Sequence, residues 1–190
     1  IVPKNIDRPV FWLAPIVVCI PAVMSFLVFP FAKGWIIQDL NLGILYLLGI
    51  GSVTVLGIFM AGYSSYNKYS LIGAMRTIAQ IISYEVPAVL AILTVVMVVG
   101  SLSMTKIIEY QQGVWNVFHV WGIVAFIIYF IAATAETNRT PFDIPDAEAE
   151  LVAGYHTEYS GMKFSLFFIA EYTNMVIVCM IASALFFGGY

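Results

Sequence analysis

Long apolar runs, each about 20 residues and nearly free of charge, constrain this sequence more than any motif in it. A helix rises 1.5 Å per residue, so about 20 residues cover the roughly 30 Å of a bilayer's hydrocarbon core. Only structures that satisfy their own backbone survive there, which for runs of this length means helices. Five runs can be marked, at about 10–31, 42–61, 78–99, 117–135 and 164–187. The chain is 62% hydrophobic and 10% charged. It therefore reads as all-α: a polytopic transmembrane helical bundle with five visible spans, forming a single membrane domain over 1–190 with no soluble domain of its own. A net charge of −3, with no basic patch interleaved with aromatics, excludes nucleic acid as a partner. Cys19 and Cys179 both fall in apolar runs, so they read as small buried hydrophobes and not as disulfide or cluster ligands. No metal site is expected. The sequence opens on Ile1 and stops on Tyr190 with no polar tail at either end, and reads as part of a longer subunit.

Within the runs, the residues that break the apolar pattern carry the information. Pro15 and Pro21 remove helix hydrogen bonds from the first run and should bend it. Gly43, Gly49, Gly51 and Gly57 in the second run point to close helix packing rather than cofactor binding. Glu85 lies seven residues into the third run and Glu171 seven into the fifth, each roughly 10 Å deep, with Asn174 a turn beyond Glu171. A carboxylate at that depth is costly unless it faces protein or water, so both acids are functional candidates. A structural alternative for Glu85 is neutralisation by Arg76 to lock helices together. His119 reads as an interfacial side chain, because a membrane haem generally takes two axial ligands from facing helices and the other histidine, His156, falls in the acidic loop.

The densest polar segment is 135–163, reading AETNRTPFDIPDAEAELVAGYHTEYSGMK. It holds Glu136, Asp143, Asp146, Glu148, Glu150 and Glu158, six of eleven acidic residues, with Arg139, His156 and Lys163 among them. A solvated linker could be short and neutral, so this acidic loop over 136–163 reads as a surface for a partner, a ligand or protons. Asp143 is placed as a helix N-cap, with Pro145 in the first turn and Asp146 three residues after the cap, which predicts a short helix over 144–152 ending at Gly154. That capping accounts for Asp143 and Asp146 but not for Glu136, Glu150 or Glu158. Neighbouring carboxylates that repel one another suit groups that take up and release protons.

The basic residues set the expected topology. Lys4, Arg8, Lys68, Arg76, Arg139 and Lys163 fall on one side after odd crossings are counted, against Lys33 and Lys106 on the other. The positive-inside rule then puts the acidic loop on the cytoplasmic or matrix side, with Glu136 at the mouth of its helix and Glu85 and Glu171 below it.

These residues carry a resemblance. AETNRTPF at 135–142, DIPDAEAEL at 143–151 and GYHTEYSGM at 154–162 resemble the signature of the quinone-proximal membrane subunit of respiratory complex I, the family of the bacterial H subunit and mitochondrial NADH dehydrogenase subunit 1. IDRPVFWLAP at 6–15, NKYSLIGAMRTIAQIISYE at 67–85 and FFIAEYTNM at 167–175 extend the likeness along essentially the whole chain. The family has about eight transmembrane helices, and the sequence is similar to the second to sixth of them.

The resemblance implies a subunit of a proton-pumping NADH:quinone oxidoreductase in a bacterial or archaeal plasma membrane or an organellar inner membrane. It implies ubiquinone or menaquinone as substrate, with NADH, FMN and iron-sulfur clusters on partner subunits and no complete active site in this chain. The implied partners are the peripheral-arm subunits, including the terminal iron-sulfur cluster subunit and the quinone-site subunit, together with small and antiporter-like membrane subunits, quinone and lipid. Arg139, Phe142, Asp143, Tyr155 and Glu136 match quinone-chamber positions. Glu85, Arg76, Lys68, Asp146, Glu148, Glu150, Glu158 and Glu171 match the path that couples quinone reduction to proton movement. Two other readings remain: the related membrane anchor of an energy-converting hydrogenase or of a ferredoxin- or deazaflavin-dependent complex, and a stand-alone ion-coupled transporter. The absence of an evident internal repeat weighs against the transporter.

Overall fold

Pro9 opens the first helix: a proline in the first turn loses no hydrogen bond that the helix could use, and α1 runs Arg8–Ser25 from there. The computed structural model describes residues 6–143 and 154–189. Five further helices follow in the described residues: α2 (Gly43–Ser64), α3 (Lys68–Val99), α4 (Met104–Tyr110), α5 (Val120–Glu136) and α6 (Met162–Phe186). Single 3₁₀ turns lie at Asn116–Phe118 and Gly154–His156. The all-α architecture expected from the apolar runs is the one observed. Four helices, α1, α2, α3 and α6, are long and apolar enough to cross a bilayer, while α5 is apolar but only 17 residues long.

Three boundaries differ from the sequence reading, each for a local reason. The first run does not continue to residue 31, because α1 stops at Ser25. Pro30 disfavours helix at the residue before it, and the chain turns on Gly34 (φ +78°), with the Phe31 and Trp35 backbones bonded. The third helix begins ten residues before the run marked at 78, because Asn67 caps it and accepts from the Tyr69 N–H at 3.0 Å. Its 32 residues make it about 48 Å long, half as long again as the hydrocarbon core. The connection expected over 101–116 contains α4, which packs against α6.

α1 packs on α2 and α6, and α3 packs on α2 and α5. Gly57 permits the first contact, since a Cβ there would run into the Val18 side chain of α1. Gly43 likewise meets Val28 and Met104, whereas Gly49 and Gly51 face open space. Packing therefore explains two of the four glycines marked in the second run, as it does Gly62 against Ala74 at the end of α2, and Gly51 instead leaves room for the cavities described below. Cys19 is half-buried and Cys179 is exposed, so the expectation of two buried thiols fails for Cys179, which lines an open groove between α5 and α6.

Two hydrophobic clusters form, one at each end of the bundle. The first joins Leu47, Val95, Ile107, Tyr129 and Phe186, and the second joins Phe11, Val18, Ile58, Ile81, Tyr159 and Phe167. Proline chemistry builds part of the second. Pro15 has no N–H to give the carbonyl four residues back, and that Phe11 carbonyl accepts from the Tyr159 hydroxyl at 3.3 Å. The Tyr159 ring stacks on Phe11 at 4.1 Å. The start of α1, the end of α2, the start of α3, the Gly154–His156 turn and the start of α6 thus gather at one end.

Candidate functional site

The site begins where α5 stops. Asn138 takes the left-handed conformation (φ +51°), its N–H bonds Ala135 O at 3.2 Å, and the Arg139 N–H bonds Thr134 O at 3.2 Å. This is a Schellman closure with asparagine in the place glycine usually takes. Because α5 is short and α3 long, this end does not sit at the mouth of the bundle. It lies level with Gln80, twelve residues and roughly 18 Å into α3. Glu136, the last residue of α5, is therefore well inside the bundle, which corrects its expected position.

Gln80 holds the segment that follows. Its side-chain nitrogen donates to Ala135 O at 2.8 Å, to Phe142 O at 2.8 Å and towards Asn138 Oδ1 at 3.2 Å. One turn further along α3, the Tyr84 ring meets Phe142 edge-on at 5.2 Å. Arg139 reaches α6 instead. Its guanidinium lies 3.4 Å from Glu171 Oε1, bonds Met175 Sδ at 3.1 Å and covers the Tyr172 ring at 5.1 Å. It also caps an apolar groove of about 350 Å³ between α5 and α6, lined by Phe130, Val178 and Cys179.

Two cavities lie between the hydrophobic clusters, each with about 60 Å³ of space that water can occupy. A water takes about 30 Å³ of liquid volume, so each has room for about two. One is lined by Glu136, Glu171, Asn138, Thr54 and Tyr155, and the other by Glu85, Glu136, Ser52 and Tyr129. Ser25, Gly51, Ile81, Glu136 and Asn174 wall both, so the cavities adjoin. Glu85 accepts a short hydrogen bond from the Ser52 hydroxyl of α2, and the Asn174 side chain bonds Glu136. Three carboxylates from three helices therefore face one chain of water-sized spaces. The arrangement can hold protons and pass them between Glu171, Glu136 and Glu85.

The Arg76–Glu85 pairing does not form. Nine residues on one helix put the two about 13 Å apart along the axis and half a turn round, and Arg76 is exposed. Of the other candidates, Tyr155 joins Glu136 and Glu171 in a cavity wall, while Phe142 packs on Tyr84 outside both cavities. Glu158 accepts from Asn67 Nδ2 at 2.8 Å and so ties the loop to the start of α3. Lys68 and Asp143 are exposed, away from the cavities. Asp146, Glu148, Glu150 and the helix expected over 144–152 lie outside the described residues. Among the described residues no cluster of His, Cys, Asp or Glu could hold a metal ion. Gln80 and Ser52 were not singled out by sequence reasoning, although a neutral amide inside a long apolar run is itself a signal, since it must find partners.

The turn beside the cavity carries a titratable group that the charge pattern did not mark. His156 is buried among Tyr155, Phe164, Phe167 and Phe168, and its Nδ1 has no hydrogen-bond partner among the described residues. Burial lowers its pKa from 6.5 to about 4. Burial likewise raises the Tyr159 hydroxyl to about 12, opposed by its hydrogen bond to Ser64. For His156 the unfolded imidazole binds a proton at a pH where the folded one does not. The turn's stability is therefore full above pH 6.5 and falls as pH drops toward 4, by up to about 3 kcal/mol at 1.36 kcal/mol per pH unit. The protection of amides over 154–159, taken relative to their intrinsic exchange rates at each pH, is expected to fall across that window, and His156→Phe is expected to flatten the dependence.

Comparison with known proteins agrees with the architecture. The family model described as NADH dehydrogenase matches residues 1–190. The chain is 55% identical over 190 residues to the H subunit of NADH-quinone oxidoreductase from Dehalococcoides mccartyi (strain CBDB1), covering 100% of the chain and 53% of that protein. It is 52% identical over 189 residues to the H subunit from Carboxydothermus hydrogenoformans, with 100% and 53% covered. Against the H 2 subunit from Solibacter usitatus it is 47% identical over 194 residues, with 100% and 49% covered. The chain thus spans about half the length of the curated relatives it matches. Long apolar helices and this kinship together make it an integral membrane protein, and with the family model matching from end to end, the chain belongs to the NADH dehydrogenase family.

Proposed function

We propose that this chain supplies the carboxylate-lined path by which a membrane-bound NADH:quinone oxidoreductase couples quinone reduction to proton translocation. The observation that carries this reading is the adjoining pair of cavities faced by Glu171, Glu136 and Glu85. In the assembled enzyme, NADH, FMN and iron-sulfur clusters held by partner subunits would supply the electrons, with ubiquinone or menaquinone as the acceptor. This chain's residues bind, shield and move protons. The segment 136–143, with Arg139 and Phe142 at its turn, faces the quinone-site and terminal-cluster subunits, and the antiporter-like subunits lie beyond the inner end of the path. Glu171 holds its charge against Arg139. A change of charge on that pair alters the proton held at Glu136, which Asn174 orients, and the proton passes through cavity water to the Glu85 carboxylate, fixed by Ser52. Two carboxylates wall one small cavity, so a change of charge at one acts on the other. The end that gathers Arg8, Lys68, Arg76 and Lys163 is the cytoplasmic or matrix side.

Glu85→Gln in the whole complex tests this. It keeps the Ser52 contact and removes the proton site. Proton pumping measured in vesicles is expected to fall about tenfold with the complex still assembled, and pumping at the unaltered rate would overturn the reading.

A further inference from the structure

We infer that Gln80 is a positioning residue for the coupling step, which rests on the function proposed above. Segment 135–142 closes into a loop around one carboxamide. Gln80 Nε2 meets Ala135 O in the last turn of α5, Phe142 O past the Thr140–Pro141 peptide, and Asn138 Oδ1 at the left-handed residue between them. The two ends of the loop, seven residues apart, are thereby fixed to one point on α3. Glu136 and Arg139 lie within that loop, and Glu85 lies on the same helix as Gln80, five residues further on. Tyr84 against Phe142 adds a second anchor one turn away.

The Ala135 carbonyl already accepts from the Asn138 N–H, and Gln80 gives it a second donor while also donating to the Phe142 carbonyl. The chemistry of Gln80 is specific, because the site presents three acceptors and so requires a donor. A carboxylate of the same shape would face three oxygens with none to give, and a thioether would give nothing. Gln80 thus carries displacement of the Arg139–Phe142 turn directly to the helix that holds Glu85.

The test uses the whole complex in its membrane, carrying Gln80→Met, Gln80→Glu, Glu136→Gln and the Gln80→Met/Glu136→Gln pair, with assembly followed alongside. Amide exchange over 136–143 is expected to rise at least tenfold in Gln80→Met while exchange in α1 and α2 stays unchanged. Quinone reduction and pumping are expected to fall together, at least fivefold, in both Gln80 variants. The double variant is expected to pump no worse than Glu136→Gln, because Gln80 acts through the placement of Glu136. Unchanged exchange over 136–143, or losses that multiply in the double variant, would overturn the positioning role. Should Glu136→Gln itself pump normally, the proposed path fails, and the exchange result alone then decides whether Gln80 holds the loop.

Discussion

Replacing Glu136 with glutamine is expected to leave the enzyme assembled and to lower quinone reduction and proton pumping together, by about tenfold to a hundredfold. Glutamine keeps the volume of the side chain and can still bond Asn174, so the end of α5 and the Gln80 contacts should survive. What is lost is a proton-binding oxygen at the only carboxylate that walls both cavities among the described residues. Removing a positioned proton acceptor costs on the order of 10²-fold where proton transfer limits the rate. Parallel measurement of quinone-reductase rate and pumping checks the outcome. A loss of reduction with assembly intact means that the two processes share this residue. Unaltered rates would make the acidic segment a docking and capping element.

Arg139→Leu is expected to have the next largest effect, and to fail in a different way. Leucine removes the cation 3.4 Å from Glu171, together with the Met175 and Tyr172 contacts. Glu171 is 21% exposed and Arg139 43%, so the pair is worth less than the roughly 3–5 kcal/mol of a fully buried one. The carboxylate left behind still lines a cavity, and its unbalanced charge should disturb both assembly and turnover. Adding Glu171→Gln removes that charge and is expected to restore assembly without restoring pumping. Arg139→Lys keeps the charge but not the planar fork, and an intermediate rate is expected. Blue-native gels and vesicle pumping separate the two effects. Full activity in Arg139→Leu would show that the pair is ornamental to the path.

The bundle is legible in the sequence because apolar runs of spanning length leave few alternatives. The end of α1 is not. Pro30 lies inside a run so apolar that the break is masked by composition, and the turn at Gly34 becomes visible only once Phe31 and Trp35 are seen bonded. Glu85 and Glu171 can be singled out from sequence because a carboxylate in an apolar helix is costly and needs an explanation. Their meeting with Glu136 cannot, since it depends on α5 ending partway along α3, a comparison of helix lengths in space. The Arg76 alternative fails on helix geometry alone: nine residues turn a helix through half a revolution beyond two full turns. Ser52 and Gln80 are the quietest signals. Each is a single neutral polar side chain in an apolar helix, and its partner is 33 and 55 to 62 residues away in sequence. The charge pattern marks Glu158 but not its partner: the bond to Asn67 at the start of α3 becomes visible only in space.

Infrared difference spectroscopy of the complete enzyme on quinone reduction addresses most directly the claim that Glu171, Glu136 and Glu85 form one coupled set. The account predicts a protonated-carboxyl signal that appears or vanishes with reduction, is lost in Glu136→Gln, and shifts in Glu85→Gln because the two acids share a cavity. Identical carboxyl spectra in the unaltered enzyme and both variants would contradict it.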